Sequence, residues 1–313
     1  MKLFKRTTDF GEPIEQAGVL AGSVSDLSST RTRVNRLQRL PSFLIIGPPR
    51  TGSSWLHQVL NKRALLPSPS KETRFFDTHF QRGFEWYTNH FPKDSTARCM
   101  GEVAPTYFAS AEARQRIASY LPAVKVVCVF RNPVERIISL YRLKRAYGMI
   151  PWTFEQALAK DPELLESSKY ASNLEAWKKE LGEDQVLAVL YDDLRDQPQS
   201  FLDTVLDFIE IPRFTLTPSQ VRYVHGSESL THPKDFQRTK SATVMADWLK
   251  ARQMDSFVSA VKRTPLMKLF LGGGAAFAAL PKEITDGLYQ QFRPEVEALE
   301  KVFHRDLSSW KTA

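Results

Sequence analysis

The chain has 313 residues, with 43 basic and 35 acidic side chains for a formal charge of +8. Hydrophobic residues at 42% and charged residues at 25% are the balance of a folded protein, which excludes a disordered or low-complexity chain. Fourteen Gly and 19 Pro without a period exclude a collagen-like repeat, and two cysteines, Cys99 and Cys128, exclude a disulfide framework and fit a reducing compartment.

In chain order, residues 1–40 hold seven basic and four acidic residues among scattered Ser and Thr. They read as a peripheral arm, with an organelle transit peptide as the alternative, ahead of a single domain at 41–313. No apolar stretch suits a secretory signal. The longest uncharged run, Leu269 to Pro281, has 13 residues, against about 20 for a spanning helix. The expectation is a cytoplasmic protein without a membrane span. A pI near 9.4 suits anionic partners. Nucleic acid is not expected among them, because no reader motif and no long basic stripe is present.

Three short apolar runs end in turn or charged residues. Phe43 to Ile46 enters Gly47-Pro48-Pro49, Lys125 to Phe130 enters Arg131-Asn132-Pro133, and Val186 to Leu190 enters Tyr191-Asp192-Asp193. Continuous apolarity is what strands covered on both faces require. Helical spacing follows each run: Leu56, Val59 and Leu60, then Ile137, Leu140, Tyr141 and Lys144, then Phe201, Leu202, Val205, Leu206 and Ile209. The predicted fold is α/β, a P-loop-like central parallel sheet flanked by helices. Residues 215–282 lack strand punctuation and predict a helical or loop cap over the C-terminal edge of the sheet. A last helix is predicted from Lys282 to Phe303.

The first strand opens into Gly47-Pro48-Pro49-Arg50-Thr51-Gly52-Ser53-Ser54, the glycine spacing of a P-loop without its lysine. Such a loop turns backbone N–H groups toward an anion at a helix start. Arg50 supplies a cation inside the loop. The bland alternative is a Gly-Pro turn with a serine helix start. After the second strand, Asn132 reads as N-cap, Pro133 as N1 and Glu135 as the N3 partner of a capping box. This holds Arg131 at the carboxyl edge of the sheet, where open α/β folds bind ligands. Ser139, two turns on, can share an anion with Arg131. Here the alternative is an arginine that pairs with a carboxylate.

Together these segments resemble the sulfotransferases that use 3′-phosphoadenosine-5′-phosphosulfate (PAPS). Arg50-Thr51-Gly52-Ser53-Ser54-Trp55-Leu56 resembles their 5′-phosphosulfate loop, and Arg131 through Ser139 their 3′-phosphate site. Lys71-Glu72-Thr73-Arg74-Phe75-Phe76-Asp77 and Gly101-Glu102-Val103-Ala104-Pro105-Thr106-Tyr107 are similar to stretches of the carbohydrate sulfotransferases. Lys169 to Leu174 and Leu190 to Leu194 also look familial.

The resemblance implies roles. Arg50 stands for the usual loop lysine at the oxygen bridging phosphate and sulfate. Thr51, Gly52, Ser53 and Ser54 hold the 5′-phosphate, and Trp55 lies where a tryptophan stacks on adenine, or else packs into the core. Arg131 and Ser139 hold the 3′-phosphate, and Arg238 and Lys240, in a loop-like stretch, substitute for a missing closing segment. Glu72 takes the place of the catalytic base, with Lys71 beside it and His79 in reserve; the bland alternative is a solvated carboxylate. Glu72, Tyr107 and Tyr170 are expected at the substrate, with Tyr87 and Trp152 as further walls. The implied reaction moves a sulfuryl group from PAPS to a hydroxyl or amine of a small-molecule or carbohydrate acceptor, releasing 3′,5′-adenosine diphosphate. Two alternatives stay open, a P-loop small-molecule kinase using ATP and a catalytically silent binding protein. The six histidines show no ligand spacing, so no metal is expected.

Overall fold

The computed structural model describes residues 40–93, 99–222, 230–251, 254, 257, 258, 261 and 273–312. All but the last residue of the expected arm lies outside the described residues. The expected strands form as β1 (Phe43–Ile45), β3 (Lys125–Phe130) and β4 (Val186–Leu190). Between the first two runs the chain adds α1 (Ser53–Leu60), α2 (Gly83–Thr88), β2 (Gly101–Val103) and α3 (Ala111–Tyr120). After β3 come α4 (Pro133–Ala146), α5 (Phe154–Lys160), α6 (Glu163–Glu166) and α7 (Tyr170–Leu181). β4 leads directly into α8 (Tyr191–Asp196), α9 (Pro198–Phe208) and α10 (Pro218–Arg222).

The sheet runs β2-β1-β3-β4 with every neighbouring pair parallel. Phe43 lies opposite Gly101 on one side and Lys125 on the other, so β1 and β3 are central neighbours. Alternation along the strands divides the core between two faces. Leu44, Ile46, Val126, Cys128 and Phe130 pack with Ile117 of α3 and Trp177 of α7. Phe43, Ile45, Val127 and Val129 pack with Leu56 and Val59 of α1 and with Phe201, Leu202 and Val205 of α9. The continuous apolar runs are therefore explained by burial on both sides.

The C-terminal helix, α12 (Lys282–Phe303), has the expected bounds. The cap differs from expectation. β5 (Thr231–Pro233) pairs antiparallel with β6 (Gly273–Ala276), and α11 (Phe236–Ala251) lies between them in sequence. The pair carries no strand signature, because β5 is short and polar, β6 is glycine and alanine, and the residues of both are half-buried or exposed. β2 was likewise unmarked as a strand, since its centre is a glutamate.

α4 is the helix that positions the second half of the site. Asn132 caps it, its Oδ1 accepting from Val134 N at 3.0 Å and Glu135 N at 3.3 Å. The capping box does not close, because the Glu135 carboxylate turns to Arg131 instead. Further along, the wholly buried Arg136 donates to Ser168 Oγ at 2.7 Å and to the Leu164 carbonyl. Lys144 reaches Asp161 at 2.6 Å and Glu163 at 2.5 Å. Both tie α4 to the segment at 161–168.

Candidate active site

The loop between β1 and α1 is shaped by main-chain demands. A Cβ on Gly47 would meet Val129 N at 2.4 Å, so only glycine lets the loop pass this close to β3. Gly52, the N-cap of α1, has φ +94°, the left-handed region that glycine enters without strain. Arg50 also has positive φ, 79°, a conformation that costs a non-glycine residue of order 1–3 kcal/mol and that clusters at ligand sites. The Thr51 hydroxyl donates to the Pro48 carbonyl at 2.8 Å and is buried, so Thr51 closes the loop rather than offering its hydroxyl to an anion. No side chain caps α1 and no acidic residue stands in its first turn. Its first amides and positive dipole end are thus available to an anion.

Three groups converge there. Arg50 donates its Nε–H to Ser139 Oγ at 2.8 Å, joining the two predicted half-sites. Lys71 Nζ lies 3.3 Å from Ser53 Oγ, 3.4 Å from Ser54 Oγ and 3.2 Å from Glu72 Oε1. It supplies from another loop the ammonium that the P-loop frame lacks, at the same helix start. Burial lowers the pKa of Arg50, and the charge of Arg131 lowers it further, so the two guanidiniums share one field. Arg131 is held by Glu135 at 2.7 Å and lies over the Tyr191 ring at 5.1 Å. Arg131 thus pairs with a carboxylate, and its charge also acts on Arg50.

Four expected site residues are placed elsewhere. Trp55 is 3% exposed, edge-on to Phe201, and donates its indole N–H to the Gln220 carbonyl at 2.8 Å. It belongs to the core and offers no open face to adenine. Tyr170 is buried and stacked on Phe130 at 4.8 Å. Tyr107 is buried with its hydroxyl 3.2 Å from Glu102 Oε2. Neither tyrosine is a substrate wall, and Tyr87, also buried and bonded to Glu102, is not one either. Arg238 and Lys240 stand on the first turns of α11, not in a loop. Both are exposed, and Arg238 pairs with Asp235 at 3.2 Å. That turn packs on the end of α4, where a Cβ on Gly148 would meet Lys240 N at 2.7 Å.

Sequence reasoning gave no site role to Tyr191 or Glu102. Tyr191 follows the third apolar run directly, and its position after β4 puts it at the same sheet edge as Arg131. The spacing of Gly101-Glu102 to Tyr107 was the available signal for Glu102. His79 lies edge-on to Trp86 at 5.4 Å, its pKa lowered first by burial. A cleft of about 270 Å³ opens on another face of α4, with Tyr141, Arg142, Arg145, Trp152, His232 and Phe277 in its lining. Among the described residues no group of three or more His, Cys, Asp or Glu is placed to hold a metal ion. Among them, too, no helix is long and apolar enough to cross a membrane.

A parallel sheet with two cation-bearing loops at its carboxyl edge, one leading into a helix without a side-chain cap, defines an α/β protein with cations gathered at one sheet edge. The chain belongs to the sulfotransferase domain family, whose model matches residues 40–262 and begins where the expected arm ends. Membership sets aside the small-molecule kinase. The chain is 32% identical over 199 residues to bifunctional heparan sulfate N-deacetylase/N-sulfotransferase 2 of Bos taurus, covering 56% of this chain and 22% of that relative. It is 31% identical over 198 residues to bifunctional heparan sulfate N-deacetylase/N-sulfotransferase 1 of Mus musculus, with 55% and 22% covered. The chain thus spans less than a quarter of the length of these relatives. A sulfotransferase from Alicyclobacillus acidocaldarius has the same fold, with a TM-score of 0.62 at 19% identity, covering 87% of this chain and 99% of that one.

Proposed function

We propose that the protein transfers a sulfuryl group from PAPS to an amine or hydroxyl of a carbohydrate or small-molecule acceptor. The observation that carries the proposal is the Arg50–Ser139 bond at 2.8 Å, which joins the two anion positions into one site for a doubly phosphorylated nucleotide. Ser53, Ser54 and the first amides of α1 would hold the 5′-phosphosulfate, and Arg131 with Ser139 the 3′-phosphate. Arg238 and Lys240 are proposed to close over the nucleotide, supported by the packing of their turn on Gly148. When bound, PAPS supplies the sulfuryl group.

The residues then divide the work. Arg50 and Lys71 would stabilise the charge that the departing phosphate oxygen gains, and preorganised charge of this kind is usually the largest contribution to catalysis. Glu72 takes the proton of the acceptor as its nitrogen or oxygen bonds to sulfur. Lys71 lies between Glu72 and the start of α1, so base and anion site are one side chain apart. The relatives' names support a carbohydrate acceptor and favour an amine. A cytoplasmic setting is kept as part of the proposal, supported by the unpaired thiols of Cys99 and Cys128.

Calorimetry with 3′,5′-adenosine diphosphate, followed by transfer of labelled sulfate from PAPS to amino-sugar and hydroxyl acceptors, tests this reading. Binding with transfer is expected. Binding without transfer to any acceptor would make the protein a silent binding module, and no binding would remove the nucleotide from the proposal.

A further inference from the structure

Glu102 is the middle residue of β2, wholly buried, and the chemistry above does not use it. Its Oε1 accepts from Thr73 N and from Thr73 Oγ1, each at 2.7 Å. Its Oε2 accepts from Tyr87 OH at 2.9 Å and Tyr107 OH at 3.2 Å. All four donors are neutral. A buried carboxylate is costly unless its lone pairs are filled, and such a network fixes the groups that fill it. Burial still outweighs the donors and raises the Glu102 pKa to about 7.

Thr73 follows Glu72 directly, and the main chain there is held from both sides. Ser70 Oγ donates to the Glu72 carbonyl at 3.1 Å, and Phe75 N donates to Thr73 Oγ1 at 3.2 Å. Phe76 N reaches Tyr107 OH at 3.4 Å, so the next turn rests on the same network. By contrast, Lys71, at 3.2 Å, is the only polar partner of the Glu72 carboxylate among the described residues. Its direction therefore depends on how firmly its backbone is held.

We propose that Glu102 is a positioning residue for Glu72: through Thr73 it fixes the peptide following Glu72, so that the Glu72 carboxylate stays beside Lys71 at the start of α1. This rests on the reading of Glu72 as the base. Glu102 itself touches neither donor nor acceptor.

The test uses the full chain with Glu102→Gln, Glu102→Leu and Thr73→Val, each alone and with Glu72→Gln. Hydrogen exchange of residues 70–76 is read without substrate, and turnover is read with PAPS and a glucosamine-bearing oligosaccharide. Glu102→Gln keeps an oxygen for Thr73 and is expected to hold turnover within about threefold. Glu102→Leu and Thr73→Val are expected to speed exchange across 72–76 by about tenfold and to cut kcat by at least about tenfold. KM for PAPS and affinity for 3′,5′-adenosine diphosphate should stay within about twofold, a split that general destabilisation would not give. In the Glu72→Gln background neither variant should cost more, because residues acting as one unit are not additive.

Wild-type exchange in folded Glu102→Leu and in Thr73→Val would overturn the proposal. So would a kcat loss that persists in full without the Glu72 carboxylate. Should Glu102→Leu fail to fold, Thr73→Val and Glu102→Gln carry the same comparison. Near-normal turnover of Glu72→Gln alone would instead end the reading of Glu72 as base, while exchange still reports whether Glu102 holds the loop.

Discussion

Arg50 and Ser139 stand 89 residues apart in sequence and are joined by a 2.8 Å hydrogen bond. The bond exists because β1 and β3 are neighbours in a parallel sheet, so the loops leaving both strands emerge side by side at one edge. Burial and the nearby Arg131 charge both act against the ionised form of Arg50, so the site is built to receive negative charge.

Arg50→Ala is expected to lower kcat for sulfuryl transfer by roughly 10²–10³, the usual cost of removing one preorganised donor. Arg50→Lys should recover part of this, since the charge returns without the planar fork that reaches Ser139. Labelled-sulfate transfer under saturating PAPS measures both. Equal loss in the two variants would mean that charge is not what Arg50 contributes.

Glu135 competes with an incoming phosphate for Arg131, which it holds at 2.7 Å. Glu135→Gln should therefore tighten 3′,5′-adenosine diphosphate by a few-fold, and Arg131→Ala should weaken it by about tenfold or more. Calorimetry at two salt concentrations reads this, with a shallower salt dependence expected for Arg131→Ala.

Folding stability carries the signature of Glu102. Its carboxyl is raised from 4.5 to about 7 in the folded chain, so the folded state holds the proton more tightly than the unfolded one. The associated stability is fully present below about pH 4.5 and is lost as pH rises through 7. Between about pH 5 and 7, wild type should lose about 1 kcal/mol per pH unit relative to Glu102→Gln, which has nothing to titrate there. Urea denaturation of both proteins across that range gives the difference directly, and parallel curves would contradict it.

Trp55 fills the core between α1 and α9. Trp55→Ala should cost roughly 3–5 kcal/mol and lower Tm by roughly 10 °C. Trp55→Phe should keep nucleotide affinity within about twofold, since no adenine contact is lost. A large affinity loss in Trp55→Phe would restore the platform reading.

The central strands were legible because Phe43 to Ile46 and Lys125 to Phe130 are continuous apolar runs, which only burial on both faces requires. α12 was legible to its ends because its apolar spacing starts after a proline and runs unbroken. Arg50, Lys71, Glu72, Arg131 and Ser139 were each visible as residues, but their convergence depends on strand order, which local spacing does not encode. Tyr107 and Tyr170 were misplaced for a related reason: an aromatic ring suits a ligand wall and a core equally, and its partners, Glu102 and Phe130, come from distant strands. β5 and β6 were missed because main-chain pairing leaves no apolar mark.

Gly47 has a consequence for selectivity. Because its Cα passes against the Val129 main chain with no room for a side chain, the gap between the two loops is set by backbone alone. Repacking of side chains leaves that gap unchanged, so the protein carries a fixed ruler between the two proposed anion seats, and any larger residue at 47 would lengthen the scale.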